Sequence, residues 1–397
     1  MTHQKQVSVV GGGIAGLVAA ITAAEGGASV TLHEAHQALG GRWRVTGGPY
    51  ALHEGPHVIY KDGPTWAWLA ERRLLGRTSR MPARALGHFY FRYEGRLRRR
   101  PPLGLLRVLA ARGEAPVGAS FTEWATVRFD ARAARVAAAA SGVGLFHPNP
   151  GELSAAFVLE RLQRVFAMPP TVAYRQGGWG LLMDDLGAYA RSRGVRIVTG
   201  SRVEELPGGT TIVATSLPAA RRLLRDDSLT WPSGQVGMLD LGLRASRRDA
   251  FVVSDLDGGG WLETFSVPDP SIAPMGCSVT QLQLPLRDGE TRADTIARLE
   301  DLADRCLPGW RGRLEYRRDS VARGRSGAVD YPGTSWRDRP AVDRGSGVYL
   351  VGDQVAAPGL LSEVSVSSAL LAGRSAAAAG SAARHLARSV AAPAEEG

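Results

Sequence analysis

The sequence has very little lysine. Of its 48 lysine and arginine residues only Lys5 and Lys61 are lysines, so the net charge of +10 comes from arginine. The arginines are spread over every segment, whereas nucleic-acid binding calls for a basic tail or a single basic stripe. We therefore expect no nucleic-acid partner and interpret most of the arginines as solvated surface residues.

Cysteine is also scarce. Cys277 and Cys306 are the only two, and their spacing is not that of a zinc knuckle or a redox dithiol. This composition predicts no metal site and favours a reducing compartment, so cytoplasmic localisation is expected.

The sequence lacks an uninterrupted hydrophobic run long enough to be a membrane span. Residues 7–24 are nearly uncharged and approach bilayer length, but glycines at 11, 12, 13 and 16 interrupt them with a spacing typical of another structure. The first residues lead into this segment without a small-residue cleavage site, so no signal peptide is expected.

The length and composition favour a folded protein of two lobes. The chain has 397 residues, 44% of them hydrophobic and 22% charged, which is far from the composition of disordered proteins. We find no tandem repeat.

The N-terminal residues predict a βαβ unit. A β-branched run at 7–10 stops at three glycines, an alanine-rich segment at 14–25 has helical spacing, and a second short strand at 29–33 ends before Glu34.

The glycines of this unit have the spacing of a dinucleotide-binding turn. Gly11, Gly13 and Gly16 allow, in that order, a tight turn, close approach of the backbone to a pyrophosphate, and close packing of helix on sheet. Glu34 would accept hydrogen bonds from a ribose diol and repel a 2′-phosphate, which disfavours NADP. The turn alone does not separate FAD from NAD.

The sequence around this turn resembles the opening of a flavoprotein superfamily. Residues 9–17, Glu34-Ala35 and Gly40-Gly41-Arg42 are similar to the N-termini of phytoene desaturases, protoporphyrinogen oxidases and flavin monoamine oxidases. The resemblance implies that FAD is the cofactor and that Arg42 binds near its phosphates. It also implies that Gly55-Pro56-His57 lies against the isoalloxazine ring.

The resemblance continues in two later regions. Residues 176–180 and 200–203 fit the superfamily, and Val203 matches a position whose backbone contacts adenine. Gly352-Asp353 resembles the strand end that meets the ribityl chain, and residues 360–364 resemble a helix start whose positive end stabilises a reduced flavin. The cofactor-binding residues implied are Gly11, Gly13, Ile14, Ala15, Gly16, Glu34, Ala35, Gly40, Gly41, Arg42, Gly55, Pro56, His57, Val203, Gly352, Asp353, Leu361, Ser362 and Val364.

Two features depart from the superfamily pattern. Members usually have a β-meander after the position of Val203, whereas only residues 204–210 precede the next strand here. The serine-glycine of the last helix is Ser368-Ala369. No neighbouring cysteine or histidine suggests covalent attachment, so noncovalent FAD is expected.

The expected fold is α/β, with a discontinuous Rossmann-like FAD-binding lobe and a mixed α+β substrate-binding lobe. We assign residues 1–80, 171–230 and 318–397 to the first lobe, and 81–170 and 231–317 to the second. Within the second lobe, Phe89–Tyr93 and Arg96–Arg98 form a predicted hairpin around Glu94-Gly95.

His57 is the best-placed candidate for a catalytic acid or base, although a histidine in such a motif more often packs and bonds to backbone. Hydride transfer to flavin needs a C–H bond held in a dry pocket more than it needs a strong base. Flavin amine oxidases carry a lysine in the substrate lobe, and neither Lys5 nor Lys61 lies in the matching region. The aromatic candidates for a pocket, most of them expected in the core, are Phe89, Phe91, Tyr93, Trp124, Phe129, Trp261 and Phe265.

The expected partners are a small-molecule substrate and dioxygen or a quinone as electron acceptor, since no second dinucleotide motif follows a strand. The arginines at 96 and 98–100 precede Leu103, Leu105 and Leu106. Peripheral contact with an anionic membrane is the less favoured interpretation of this segment, and a solvated hairpin edge is the preferred one.

The sequence predicts dehydrogenation or desaturation of an apolar or partly apolar metabolite by hydride transfer to flavin. The alternatives left open are an amine oxidase acting on a C–N bond, a flavin-dependent isomerase or mutase without net redox change, and a non-catalytic FAD-binding protein.

Overall fold

The N-terminal βαβ unit forms as predicted. Strand β1 (Gln6–Val10), helix α1 (Ile14–Glu25) and strand β2 (Ser29–His33) follow one another, and β1 and β2 pair in parallel. The helix ends at Gly26, and Gly27 has a φ of +88°, a conformation that glycine adopts without strain.

The computed structural model describes residues 4–390, apart from the side chains of residues 84, 86, 143, 325 and 379–390. The chain divides into two units. The first contains the residues up to Trp43, Met183–Thr230 and those from Arg339 onward, and the second contains Arg44–Leu182 and Trp231–Asp338.

A five-stranded parallel sheet forms the centre of the first unit. Its order is β15-β9-β1-β2-β8, where β8 is Arg196–Val198, β9 is Thr210–Val213 and β15 is Val348–Leu350. Within the described residues no strand lies between β8 and β9, so this connection lacks a β-meander, as the sequence indicates. Helices α1 and α10 (Ser362–Val390) pack on this sheet, and the first unit also contains α8 (Leu217–Leu224). Helix α7 (Gly178–Ser192) contains the sequence boundary between the two units.

A seven-stranded sheet forms the centre of the second unit. Its order is β14-β10-β13-β12-β11-β5-β6, and every pair is antiparallel except β11 with β5. The strands are β5 (Phe89–Tyr93), β6 (Arg96–Arg98), β10 (Ser233–Arg244), β11 (Val252–Asp255), β12 (Gly260–Glu263), β13 (Cys277–Pro285) and β14 (Leu314–Ala328). Strands β5 and β6 form the predicted hairpin.

One face of this sheet is apolar. Leucines and valines from β10 to β13 pack against helix α9 (Arg292–Cys306), which begins at a capping box between Thr291 and Asp294. The strand residues next to these leucines and valines in sequence point to the opposite face, because side chains alternate along a strand. That opposite face is also buried, but many of its residues are polar.

The second unit also contains a small sheet and five more α-helices, besides short 3-10 helices. The sheet has the order β3-β7-β4. These elements are β3 (Val58–Tyr60), β4 (Thr78–Ser79), β7 (Val172–Arg175), α2 (Pro64–Glu71), α3 (Leu103–Leu109), α4 (Phe121–Arg128), α5 (Ala131–Leu145) and α6 (Ala155–Val165).

The boundaries of the units differ from the proposed lobes at three places. Residues 44–80, 171–182 and 318–338 fall in the second unit, whereas the sequence assigns them to the FAD-binding lobe. Strands β3 and β7 pair with each other, and β14 pairs with β10 along most of its length, so these segments have their partners in the second unit.

None of the helices within residues 4–390 combines the length and the apolar character needed to cross a bilayer.

Candidate functional site

The glycine turn of the first unit excludes side chains at two positions. Gly11 has a φ of +112°, and a Cβ there would lie 2.6 Å from the carbonyl oxygen of Ala214. A Cβ on Gly16 would lie 1.8 Å from the carbonyl oxygen of Gly11. Backbone fills both spaces, so the turn tolerates only glycine at these positions.

Gly13 differs from these two glycines because the protein leaves room for a side chain there. The nearest atoms to a Cβ are 3.9 Å away, on Gly40 and Gly41. Gly13 is the N-cap of α1, and its lack of a side-chain cap leaves the first amide groups of the helix available to an anion. Ile14 and Ala15 are buried in this first turn. The geometry fits a pyrophosphate that lies against backbone.

Glu34 is bonded to the same turn. Its carboxylate accepts hydrogen bonds from the N–H groups of Gly12 at 2.7 Å and His36 at 2.8 Å, and the residue is buried. The sequence predicts Glu34 as a ribose ligand and does not reveal that it also closes the turn. The remaining lone pairs of the carboxylate are still able to accept from a diol. The next residue, Ala35, is half-buried.

The Gly40-Gly41-Arg42 segment joins the turn from the other side. Gly40 donates its N–H to the carbonyl of Gly12 at 2.9 Å, and its φ is +122°. Arg42 forms an ion pair of 2.5 Å with Asp353, so two of the predicted cofactor residues contact each other directly. Sequence reasoning assigns them to different parts of FAD and does not anticipate this pair.

The C-terminal candidates cluster around β15 and α10. Gly352 donates its N–H to the hydroxyl of Ser368 at 3.1 Å, and this bond ties the end of β15 to α10. Leu361 has a φ of +51°, Ser362 begins α10, and Val364 is buried. Val203 is half-buried and follows Ser201, whose N–H donates to the carbonyl of Glu34 at 2.8 Å. Hydrogen bonds therefore join Glu34, Gly40 and Ser201 to the glycine turn or to one another, and an ion pair joins Arg42 to Asp353.

Gly55, Pro56 and His57 belong to the second unit. His57 is 1% exposed, and its ring stacks on that of His53, with ring centroids 3.6 Å apart and planes at 14°. The ring of Phe265 also lies close to that of His57, at a centroid distance of 4.1 Å and an angle of 34°. Neither ring nitrogen of His57 has a well-formed hydrogen bond among the described residues.

Both histidines of this stack are held neutral. Burial, together with the neighbouring His53, holds the pKa of His57 well below its usual value, and contact with the Gly55 backbone offsets this only in part. Burial and the nearby Arg318 lower the pKa of His53 to about 3. A second proton, which would make either ring a cation, is strongly disfavoured at neutral pH.

Gly178 makes room for His53. A Cβ there would lie 2.3 Å from the Nε2 of His53, and that nitrogen accepts the backbone N–H of Trp179 at 3.1 Å. The glycine pair at 177 and 178 resembles a superfamily motif, and this contact gives its second glycine a physical role. Sequence reasoning did not identify His53.

A chain of hydrogen bonds crosses the buried polar face of the seven-stranded sheet. Gln283 donates to the side-chain oxygen of Gln281 at 2.6 Å, and Gln281 donates to Asp240 at 2.6 Å. Arg318 donates to the other oxygen of Asp240 through Nε at 2.8 Å. Gln281 and Arg318 also donate to the backbone carbonyl of His53, at 3.0 and 2.6 Å. The chain fixes this loop on the sheet.

Glu263 lies on the same face, directly opposite Gln281 in the ladder. It accepts the hydroxyl of Tyr174 at 2.6 Å and the indole N–H of Trp261 at 3.1 Å. Burial raises the pKa of Glu263 to about 7, although both hydrogen bonds act to lower it. A carboxyl group that is half-protonated near neutral pH therefore lies within the second unit.

The other sequence candidates have less specific surroundings. Lys61 follows β3, with its ammonium nitrogen 5.9 Å from the centroid of the Trp66 ring. Five of the aromatic candidates belong to one core cluster or pack against it: Phe89, Phe91, Tyr93, Trp124 and Phe129.

The comparisons by sequence are limited to the N-terminal region. Residues 9–73 match a family described as an NAD(P)-binding Rossmann-like domain. No curated protein matches the chain by sequence.

Solved structures resemble nearly the whole chain. Cyclohexylamine oxidase from Brevibacterium oxydans has a TM-score of 0.73 at 16% identity, covering 95% of this chain and 100% of its own. An oxidoreductase from Methanosarcina mazei has a TM-score of 0.70 at 16% identity, covering 92% and 99%. Reduced UDP-galactopyranose mutase has a TM-score of 0.70 at 14% identity, covering 96% and 94%. The α/β fold expected from the flavoprotein resemblance is therefore confirmed.

Proposed function

We propose that this chain, which has the fold of the FAD-dependent oxidoreductase superfamily, binds FAD and oxidises a small organic substrate. The observation that carries the proposal is the turn in the first unit, where backbone excludes side chains at Gly11 and Gly16 but leaves space at Gly13. Such a turn accepts a pyrophosphate, and the carboxylate of Glu34 lies beside it to accept ribose hydroxyls.

Several residues of the first unit would hold the cofactor. The first amides of α1 would bind the pyrophosphate, and the segment around Val203 would bind the adenine end. Arg42 and Asp353 would bind near the phosphates and the ribityl chain, and their ion pair fixes both side chains in advance. When bound, FAD supplies an acceptor for a hydride.

The contribution of the protein would be orientation and exclusion of water. Both histidines near the Gly55-Pro56 segment are buried and neutral, so the geometry favours holding a C–H bond over removing a proton. The polar face of the second sheet favours a partly apolar substrate over a wholly apolar one. Dioxygen or a quinone would then reoxidise the flavin.

Two rival functions predict different products. An amine oxidase would release hydrogen peroxide with ammonia or an aldehyde, and a mutase would give a product with the mass of its substrate. Each remains an alternative, because the similar structures named above include both an amine oxidase and a mutase.

The purified protein is expected to be yellow and to release its FAD on denaturation. The turn provides noncovalent contacts with the phosphates and the ribose. The two cysteines, as sites for covalent attachment, belong to the second unit, and burial raises the pKa of Cys306 to about 12, which disfavours a reactive thiolate. Absorbance of the filtrate after denaturation measures the released flavin. Colour that stays with the precipitate would contradict noncovalent binding, and a colourless protein that also rejects added FAD would contradict the proposed function.

Replacing His57 is expected to change flavin reduction by no more than a few-fold. His57→Phe retains a flat ring next to His53 and Phe265, and His57→Gln retains polarity without a titrating group. The measurement is the anaerobic rate of flavin bleaching by substrate between pH 6 and 9, after the FAD content of each variant has been matched. General acid–base catalysis typically contributes about 10²–10⁴-fold, so a loss of that size in both variants would make His57 catalytic.

A further inference from the structure

The buried polar face of the seven-stranded sheet contains hydrogen-bonding capacity that the protein does not use. The side-chain oxygen of Gln283 has no hydrogen-bond partner among the described residues, although the residue is only 2% exposed. Buried polar atoms are nearly always paired, so an unpaired acceptor requires an explanation. A ligand that donates a hydrogen bond is one such explanation.

The hydrogen-bond network sets the orientation of Gln283. The amide nitrogen of Gln281 donates to the carbonyl of His53 and to Asp240, and both of these groups only accept. The oxygen of Gln281 must therefore accept from the nitrogen of Gln283. This arrangement leaves the oxygen of Gln283 as the free end of the network.

Glu263 lies next to that free end. Trp261 faces Gln283 across the ladder and Glu263 faces Gln281, so Gln283 and Glu263 are diagonal neighbours on one face of adjacent strands. Diagonal positions lie within reach of long side chains, and one ligand atom is able to contact both. The two acceptors therefore belong to neighbouring positions on the same face.

Glu263 has neutral donors but lacks a cationic partner. Tyr174 and Trp261 each donate one hydrogen bond, and among the described residues no arginine, lysine or histidine forms an ion pair with its carboxylate. The residue is 4% exposed. A carboxylate buried without a cation is costly, and a bound cation would relieve that cost.

We propose that Glu263 and Gln283 bind an ammonium group of the substrate, and this proposal rests on the proposed function. The ammonium ion would donate to the oxygen of Gln283 and to the carboxylate of Glu263. An alcohol would satisfy Gln283 without providing the missing charge, and a carboxylate would be repelled. The indole ring of Trp261, which already donates to Glu263, would add a favourable surface for a cation.

The probe for this site is tert-octylamine, and its matched control is tert-octanol. The amine has no hydrogen on the carbon next to nitrogen, so it cannot be dehydrogenated at the C–N bond and its binding is separate from turnover. Binding to the FAD-loaded protein is measured from the flavin difference spectrum and from the shift in Tm. We expect the amine to bind and the alcohol to bind at least about tenfold more weakly, since hydrogen bonds to charged groups contribute more than neutral ones.

Two variants test the residues separately. Glu263→Gln retains the shape but removes the charge, and Gln283→Met removes the free acceptor. We expect each to weaken amine binding by about tenfold or more without changing the FAD content. Glu315→Gln, at a partly exposed ion pair with Arg244 in the same unit, is the matched control and should bind the amine like the wild type.

The results of these experiments distinguish failure of the ammonium site from failure of the proposed function. Equal binding of amine and alcohol by the wild type, or unchanged amine binding in both variants, would overturn the ammonium site while leaving a yellow, reducible protein. If Glu263→Gln does not fold, Gln283→Met and the comparison of the amine with the alcohol still test the ammonium site. A protein that binds no FAD would contradict the proposed function itself.

Discussion

Glu34→Arg is expected to abolish FAD binding and to lower the Tm of the apoprotein. The wild-type carboxylate accepts two backbone N–H groups at 2.7 and 2.8 Å, so its removal leaves one buried and one partly buried donor without this partner. Each charge-assisted bond contributes about 1.5–3 kcal/mol, and the loss of both would amount to about 3–6 kcal/mol before relaxation. An arginine would also place a cation near the positive end of α1, where only an anion is favoured.

A second substitution separates loss of the turn from loss of the cofactor. Gly13→Ala leaves both Glu34 bonds in place, and its Cβ would have no atom closer than 3.9 Å. We therefore expect an unchanged apoprotein Tm but weaker FAD binding, because the methyl group would occupy the space of the pyrophosphate. Fluorescence titration with FAD measures the affinity of each variant. Normal FAD affinity in both Gly13→Ala and Glu34→Arg would place the cofactor elsewhere.

The N-terminal part of the site could be predicted because its determinants are local. Strand β1, the glycine turn, α1 and Glu34 lie within about thirty consecutive residues, as in a single βαβ unit. Their order and spacing are enough to specify the turn. The hairpin of β5 and β6 is local in the same sense, and its bounds agree with those predicted from alternation around Glu94-Gly95.

The polar face of the second sheet could not be predicted because its residues are brought together by distant strand pairing. Asp240, Gln281 and Arg318 lie on three strands that are far apart in sequence. The alternation of polar and apolar residues in β13 gives one signal, since it shows that one face is polar. Alternation usually indicates a solvated face, so it does not reveal that this face is buried.

Distant residues also set the position of His53, so the sequence does not identify it. Apart from its stack with His57, it lies against Gly178 and bonds to Trp179 and Arg318, and these three residues are far from it in sequence. His57 was identified because it ends a recognisable motif, whereas His53 precedes that motif and resembles an ordinary loop residue. The pairing of the two rings is visible only in three dimensions.

Arg318→Leu is expected to destabilise the protein by about 3 kcal/mol at neutral pH, the lower end of the usual range for breaking a buried ion pair. The side chain of Asp240 is 1% exposed and would lose the only cationic partner that it has in the described part of the chain. The side chain of Arg318 is 23% exposed, which limits the effect. Urea unfolding at saturating FAD measures the difference in the free energy of unfolding between the variant and the wild type. Asp240→Asn in the Arg318→Leu background removes the unpaired charge, so we expect it to recover most of the lost stability.

The dependence of this destabilisation on pH identifies its cause. Burial already raises the pKa of Asp240 against the opposing effect of Arg318, so removing the arginine raises that pKa further. A carboxyl group whose pKa is higher in the folded than in the unfolded state favours folding below its unfolded value, and this contribution is lost as pH rises through the folded value. The difference in the free energy of unfolding between Arg318→Leu and the wild type should therefore be small at pH 4–5 and grow toward pH 8. The double variant should not show this growth. A destabilisation that is equally large at every pH would instead assign the effect to the lost bond with the carbonyl of His53.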